Sequence, residues 1–190
     1  MKWLIKNWSK STPFLAVYLL IVLFCYVMKE DFPLFLIWLQ TPIYFLHQFE
    51  EYILPGGFVE FFNTKVLGSN RKDHPLNDKI AFWINFPIIF IAFPLSALLS
   101  GYIDISIGIW TAYFSIINAL SHIGMFPKHG YNPGVIVSLL LNVPVGLFTL
   151  YYFINHQIIS LKAHTIGLTI GILIQAGLMI YGFKFLKTTS

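Results

Sequence analysis

Residues 80–99 read IAFWINFPIIFIAFPLSALL, twenty positions without one charged side chain. A helix rises about 1.5 Å per residue, so a stretch of this length reaches across the roughly 30 Å hydrocarbon core of a bilayer. Five further stretches approach or meet that length: 13–28, 33–54, 103–123, 133–154 and 164–186. The sequence therefore predicts an all-α, polytopic membrane helix bundle of six transmembrane helices, with residues 1–190 forming a single integral membrane domain. Composition agrees, because only 11% of the 190 residues are charged and 57% are hydrophobic, whereas a soluble domain carries about 25% charged residues. Such a chain lacks the polar groups to cover a globular surface in water, which excludes a soluble enzyme. One cysteine, Cys25, excludes a disulfide scaffold.

The borders of the spans carry helix punctuation. Thr12 before Pro13, and Asp31 two residues before Pro33, place a capping oxygen beside a proline tolerated in a first turn. Asp78 is expected to cap the third span, Ser100-Gly101 to end it, and Gly124 to end the fourth. The first span follows Lys2, Lys6 and Lys10 as a signal peptide would, but no small-residue cleavage site follows it, so an uncleaved helix is expected. Counting basic residues on alternate sides gives ten on one side (Lys2, Lys6, Lys10, Lys65, Arg71, Lys72, Lys79, Lys128, Lys184 and Lys187) and two, Lys29 and Lys162, on the other. That asymmetry predicts both termini in the cytoplasm of a multi-pass protein of the cell inner membrane. The net charge of +4 is thereby a topology signal, and no nucleic acid partner is expected. In the connection 55–79, residues 58–68 fit a short interfacial helix closed by Gly68, and Gly167 with Gly171 form a close-packing pair on the last span.

Ionisable groups inside a span are costly and usually face the bundle interior or a wet cavity. Six of the eight acids fall in loops, caps or the interfacial segment, leaving Glu50 and Glu51. They sit in His47-Gln-Phe-Glu50-Glu51-Tyr52, where spacings of three and four bring His47, Glu50 and Glu51 toward one face, continued by Gln40 and Tyr44. The fourth span carries a matching stripe of Thr111, Ser115, Asn118 and His122. In the six-span topology both stripes end at the cytoplasmic side. Asn85 and the segment Asn132-Pro133-Gly134 fall in the same layer, with His129 as a supplementary ligand and His74 as a weaker one. His156 and His164 map to the opposite side, as interfacial residues.

His47-x-x-Glu50-Glu51, followed by Tyr52 and Pro55-Gly56-Gly57-Phe58 and then by Asn118-x-x-x-His122, resembles the HXXEE-domain family of prokaryotic integral membrane proteins, whose function is uncharacterised. Its third motif, P-G-x-x-T, is matched by Pro133-Gly134, but Val137 stands at the threonine position and Ser138 follows it. The resemblance implies an enzyme and supplies no substrate.

Several chemistries fit these residues. His47, His122 and one of Glu50 or Glu51 make the two-nitrogen, one-oxygen set of a catalytic zinc, with the other glutamate as general base, as in a zinc hydrolase. The same set suits non-haem iron. Without a metal, Glu50, Glu51, His47 and Asn118 resemble the groups of glutamate intramembrane proteases, although no arginine follows Glu51 as that pattern requires. A proton-coupled transporter, or a structural protein whose polar cluster locks helices together, are the non-catalytic alternatives. The expected partners are the lipid bilayer and a lipid-like or membrane-partitioned small molecule.

Overall fold

The computed structural model describes residues 1–186, and Lys187 of the basic count lies outside them. Among the described residues the chain is all helical, with six long helices and one short one. They are α1 (Lys2–Glu30), α2 (Phe32–Tyr52), α3 (58–66), α4 (Asp78–Tyr102), α5 (Ile109–His129, entered through a 3-10 turn at Ile105–Gly108), α6 (Val135–Asn155) and α7 (Leu161–Lys184). α1, α4, α6 and α7 are long and apolar enough to cross a membrane. They bury only 17%, 28%, 28% and 22% of their most apolar windows, so most of each faces outward. Exposed Phe14, Ile21, Leu95, Leu139, Leu140, Leu147 and Leu173 make that outer surface greasy. This is a membrane protein.

α2 and α5 fall short of that apolarity because they carry the polar stripes, and they occupy the inside. Of the 21 residues of α2, 14 are buried. It packs against α1, α4, α5 and α6, while α5 takes α6 and α7 on its other flanks. One apolar core joins Leu23 of α1 to Phe35, Leu36, Ile37, Leu39 and Ile43 of α2, Ala97 of α4 and Phe153 of α6. A second gathers Tyr44 and Phe45 with Phe93, Trp110 and Phe114. Trp110 donates to Ser96 Oγ at 2.9 Å, which satisfies its indole N–H between α5 and α4.

Several helix ends differ from the sequence expectation. Asp31 does cap α2, accepting from Leu34 N at 2.9 Å. Thr12 caps nothing: the chain is already helical from Lys2, and its hydroxyl donates back to Ser9 O. Trp8 explains the extension, since its buried ring meets Tyr52, Phe82 and Phe90 at 5.0–6.4 Å and fastens the segment to α2 and α4. At α4 the cap is Asn77, not Asp78, its Oδ1 accepting from both Lys79 N and Ile80 N. Gly124 does not end α5, which runs on to His129 and stops before Gly130, at φ +70°.

α3 matches the expected short helix, with Gly68 at φ +74° beyond its end. Asn63 on α3 ties down the following loop, donating to Lys72 O and Leu76 O and accepting from Leu76 N. Gly167 and Gly171 face α5 of the same chain. A Cβ on Gly171 would lie 3.0 Å from Phe114 N.

Candidate metal centre

Two turns of α2 and one of α5 face each other at the end of the bundle covered by α3. His47, Glu51 and His122 are all buried, and one ligand atom from each lies within 4.8 Å of the others. Glu51 Oε1 is 3.4 Å from His122 Nε2 and 3.7 Å from His47 Nε2. The two imidazoles meet edge to face, with centroids 4.8 Å apart.

The surrounding hydrogen bonds fix which way each group points. Asn132 Nδ2 donates to His122 O at 3.0 Å, so its Oδ1 is the atom facing His122 Nδ1 at 2.9 Å and must accept. His122 therefore carries its proton on Nδ1 and turns the lone pair of Nε2 toward Glu51. Glu51 Oε2 accepts from Gln48 Nε2 at 2.7 Å, leaving Oε1 for the histidines. His47 is hydrogen-bonded to the Gly134 backbone, its Nδ1 lies 3.4 Å from Ser138 Oγ, and its buried Nε2 has no hydrogen-bond partner.

Gly134 sets the spacing of the rings. At φ +101° it suits glycine, and a Cβ there would stand 2.8 Å from His47 Cε1 and 2.9 Å from His122 Cε1. Ligand atoms about 2.0–2.1 Å from a tetrahedral ion lie about 3.3–3.4 Å from one another. The edge from Glu51 to His122, at 3.4 Å, already has that value, and the edge from Glu51 to His47, at 3.7 Å, is slightly longer. Two nitrogen lone pairs and a carboxylate oxygen converging on an orphaned buried atom suit a divalent cation, and hydrogen bonds from behind the ligands are what such sites use.

Glu50 is not in this group. Its Oε1 accepts from Tyr131 Oη and Ile136 N at 3.1 Å, and its Oε2 from Val137 N at 2.7 Å. It anchors the first turn of α6, where unpaired N–H groups and the helix dipole favour a carboxylate. Burial and the Glu50 charge push the Tyr131 phenol above its usual range, which keeps it protonated as the donor. Geometry explains the division of labour, because adjacent helical residues diverge by about 100°.

The remaining expected residues scatter. Tyr44 lies beside His47 with the ring centroids 5.1 Å apart and the planes tilted by 57°, and Asn85 donates to Tyr52 Oη at 3.0 Å. Asn118 donates to Gln175 Oε1, and its Oδ1 is buried without a partner. His129 lies outside the group and against Phe61, because α5 continues through it as helix where a loop was expected. His74 is also outside the group. His156 is exposed, whereas His164 is buried with Nδ1 3.0 Å from Tyr113 Oη, because close packing of α7 on α5 encloses it. Ser138, one residue beyond the expected threonine position, does reach the site. Gln48 and Tyr131 had no sequence signal beyond their neighbourhood. For Asn132 that signal was its place directly before Pro133-Gly134.

A cavity of about 230 Å³ opens from Glu51 and His122, with Tyr44, Asn85, Asn118 and Gln175 also on its walls. The family model described as protein of unknown function with HXXEE motif matches residues 38–149, more than half of the chain and the part that holds His47, Glu51, His122, Asn132 and Gly134. No curated protein and no solved structure matches the chain. The chain belongs to the family of proteins that carry the HXXEE motif.

Proposed function

We propose that this protein is a membrane-embedded, metal-dependent enzyme whose centre is His47, Glu51 and His122. The observation that carries the proposal is the orientation of these groups. Nε2 of His122 turns its lone pair toward Oε1 of Glu51 at 3.4 Å, and the buried Nε2 of His47 has no hydrogen-bond partner. A buried acceptor left unmet, as His47 Nε2 is, costs about 1–3 kcal/mol, which a shared cation removes. A bound zinc would supply Lewis acidity and an activated water for hydrolysis, and iron would supply redox chemistry.

The protein's own residues do the rest. Asn132 and Gln48 hold the ligands in one orientation, Glu50 acts as a positioning residue that keeps Gly134 and α6 against the imidazoles, and Asn118 binds the polar end of the substrate. Walls of Ile84, Ile88, Phe114 and Leu178 exclude water and favour a lipid-like molecule. Ten of twelve basic residues on one side support six spans with both termini cytoplasmic, in the cell inner membrane. The test is elemental analysis of purified protein. Near-stoichiometric zinc or iron is expected, lost in His47→Ala, Glu51→Gln and His122→Ala. Metal-free wild-type protein whose stability is unchanged by chelators and by added metal would leave the cluster as a helix lock and end the proposal.

A second reading, proton-coupled transport, is favoured by one observation. Buried polar groups continue from the site into the other half of the bundle, through Asn142 donating to Ser115 Oγ at 2.8 Å and Gln40 donating to Thr149 Oγ1 at 3.0 Å. Gln40 Oε1, Thr41 Oγ1 and Asn142 Oδ1 lack protein partners along that line, as residues beside a water file would. Proton uptake by reconstituted vesicles, abolished by Gln40→Leu, would support transport. Tight vesicles would exclude it.

A further inference from the structure

One side of the cavity at the metal centre is walled by α4, which contributes Ile84 and Ile88, and α7, which contributes Leu178 and Met179. A groove of about 520 Å³ runs along the outside of the same two helices, bordered by Ile80, Trp83 and Tyr181 and, at the start of α4, by Asn77 and Lys79. Ile84 and Leu178 line both spaces and stand between them as a threshold. The packing explains the gap: α7 rests chiefly on α5, and α4 on α2 and on the turn leading into α5. Trp83 and Phe183, beside the groove and the cavity, are exposed on the outer apolar surface.

Two features say what enters. At about 230 Å³ the cavity is smaller than the roughly 300–1,000 Å³ that enclose a whole ligand, so it takes one end of a longer molecule. At its polar end Asn118 Oδ1 and Gln48 Oε1 are buried acceptors without partners. They call for a ligand end that donates hydrogen bonds, as hydroxyl groups do. Taking the metal centre proposed above as the site of chemistry, we infer that the substrate is a hydroxyl-bearing acylglycerol that enters sideways from the bilayer. Its glycerol end lies against Asn118, Gln48 and Glu51, and its acyl chain passes between Ile84 and Leu178 into the groove. The apolar threshold passes a chain at little cost and resists water, which keeps the centre dry.

The experiment is photolabelling in lipid nanodiscs with a monoacylglycerol carrying a diazirine in its acyl chain, followed by peptide mapping. Label is expected on the α4 and α7 segments around Ile84 and Leu178. A diazirine-bearing fatty-acid methyl ester, which lacks hydroxyls, is expected to label the outer surface alone. Ile84→Trp closes the threshold and should lower monoacylglycerol labelling there by roughly tenfold, equivalent to about 1.4 kcal/mol. Leu178→Ala opens it and should raise labelling, which keeps the test decisive if the tryptophan variant does not fold. Equal cavity labelling by the two probes would overturn the acylglycerol assignment. Labelling indifferent to both substitutions would overturn lateral entry. Metal content, measured on the same samples, separates the two proposals: His47→Ala, which removes a ligand that does not line the cavity, should empty the metal while the threshold still labels, and a metal-free wild type that labels as expected would refute the metal and keep the lipid site.

Discussion

Gly134→Ala tests whether the spacing of the two imidazoles is set by a missing side chain. The residue sits at φ +101°, and a Cβ would meet His47 Cε1 at 2.8 Å, His122 Cε1 at 2.9 Å and His122 Nδ1 at 3.0 Å. An L-residue in left-handed backbone costs about 1–2 kcal/mol, and forcing a methyl group into a packed site adds about 1–3 kcal/mol. Neither ring can swing away freely, since Asn132 holds one and Ser138 with the Gly134 backbone holds the other. The expected loss is therefore about 2–5 kcal/mol. Gly57→Ala is the control, because Gly57 has a similar φ of +91° and nothing within 4 Å of the added carbon. It should cost only the backbone part, about 1–2 kcal/mol. Chemical unfolding in detergent micelles measures both, and elemental analysis of the same samples reads the metal. Gly134→Ala should lose more stability than Gly57→Ala and bind less metal. Equal losses with equal metal would refute the idea that Gly134 spaces the ligands.

Adjacent glutamates should separate cleanly by assay. Glu51→Gln should abolish metal binding, whereas Glu50→Gln should retain measurable metal but lower unfolding stability by about 1.5–3 kcal/mol, the worth of charge-assisted hydrogen bonds to the α6 N–H groups; the opposite pattern in metal content would exchange their roles. Asn132→Leu frees the His122 tautomer and should weaken metal affinity about 10–100-fold, as loss of an outer-shell partner does, measured by competition with a chelator. Gly171→Leu drives a side chain against Phe114 N, 3.0 Å from where the added Cβ would stand. Because backbone cannot yield there, it should cost about 1–3 kcal/mol in unfolding stability, and an unchanged protein would contradict the close contact of α7 with α5.

The membrane character of the fold was legible because twenty uncharged residues leave little else for 80–99 to do. The polar stripes were legible too: they pointed one face of α2 and one of α5 to the bundle interior or a wet cavity, and 14 of the 21 residues of α2 are buried. Helix ends were not, and the reason differs by site. Thr12-Pro13 looked like a start because local chemistry ignores Trp8, whose burial against Tyr52 and Phe82 comes from helices far along the chain. Gly124 looked like a stop, but a glycine inside a helix costs only about 1 kcal/mol, and α5 continues through it to His129. At the site, side-chain periodicity brought His47, Glu51 and His122 together. It did not tell Glu50 from Glu51, since that depends on backbone N–H groups of α6 that no sequence pattern displays. Asn132 was visible as a neighbour of Pro133-Gly134, but its role depends on a bond to His122 across a turn.

The central claim is that His47, Glu51 and His122 bind one metal ion directly. X-ray absorption at the edge of the metal found in the purified protein tests it most closely. Two nitrogen ligands and at least one oxygen ligand at about 2.0–2.2 Å are expected for zinc, with one nitrogen lost in His122→Ala. A spectrum of fully hydrated ion, or one that His47→Ala and His122→Ala leave unchanged, would contradict it.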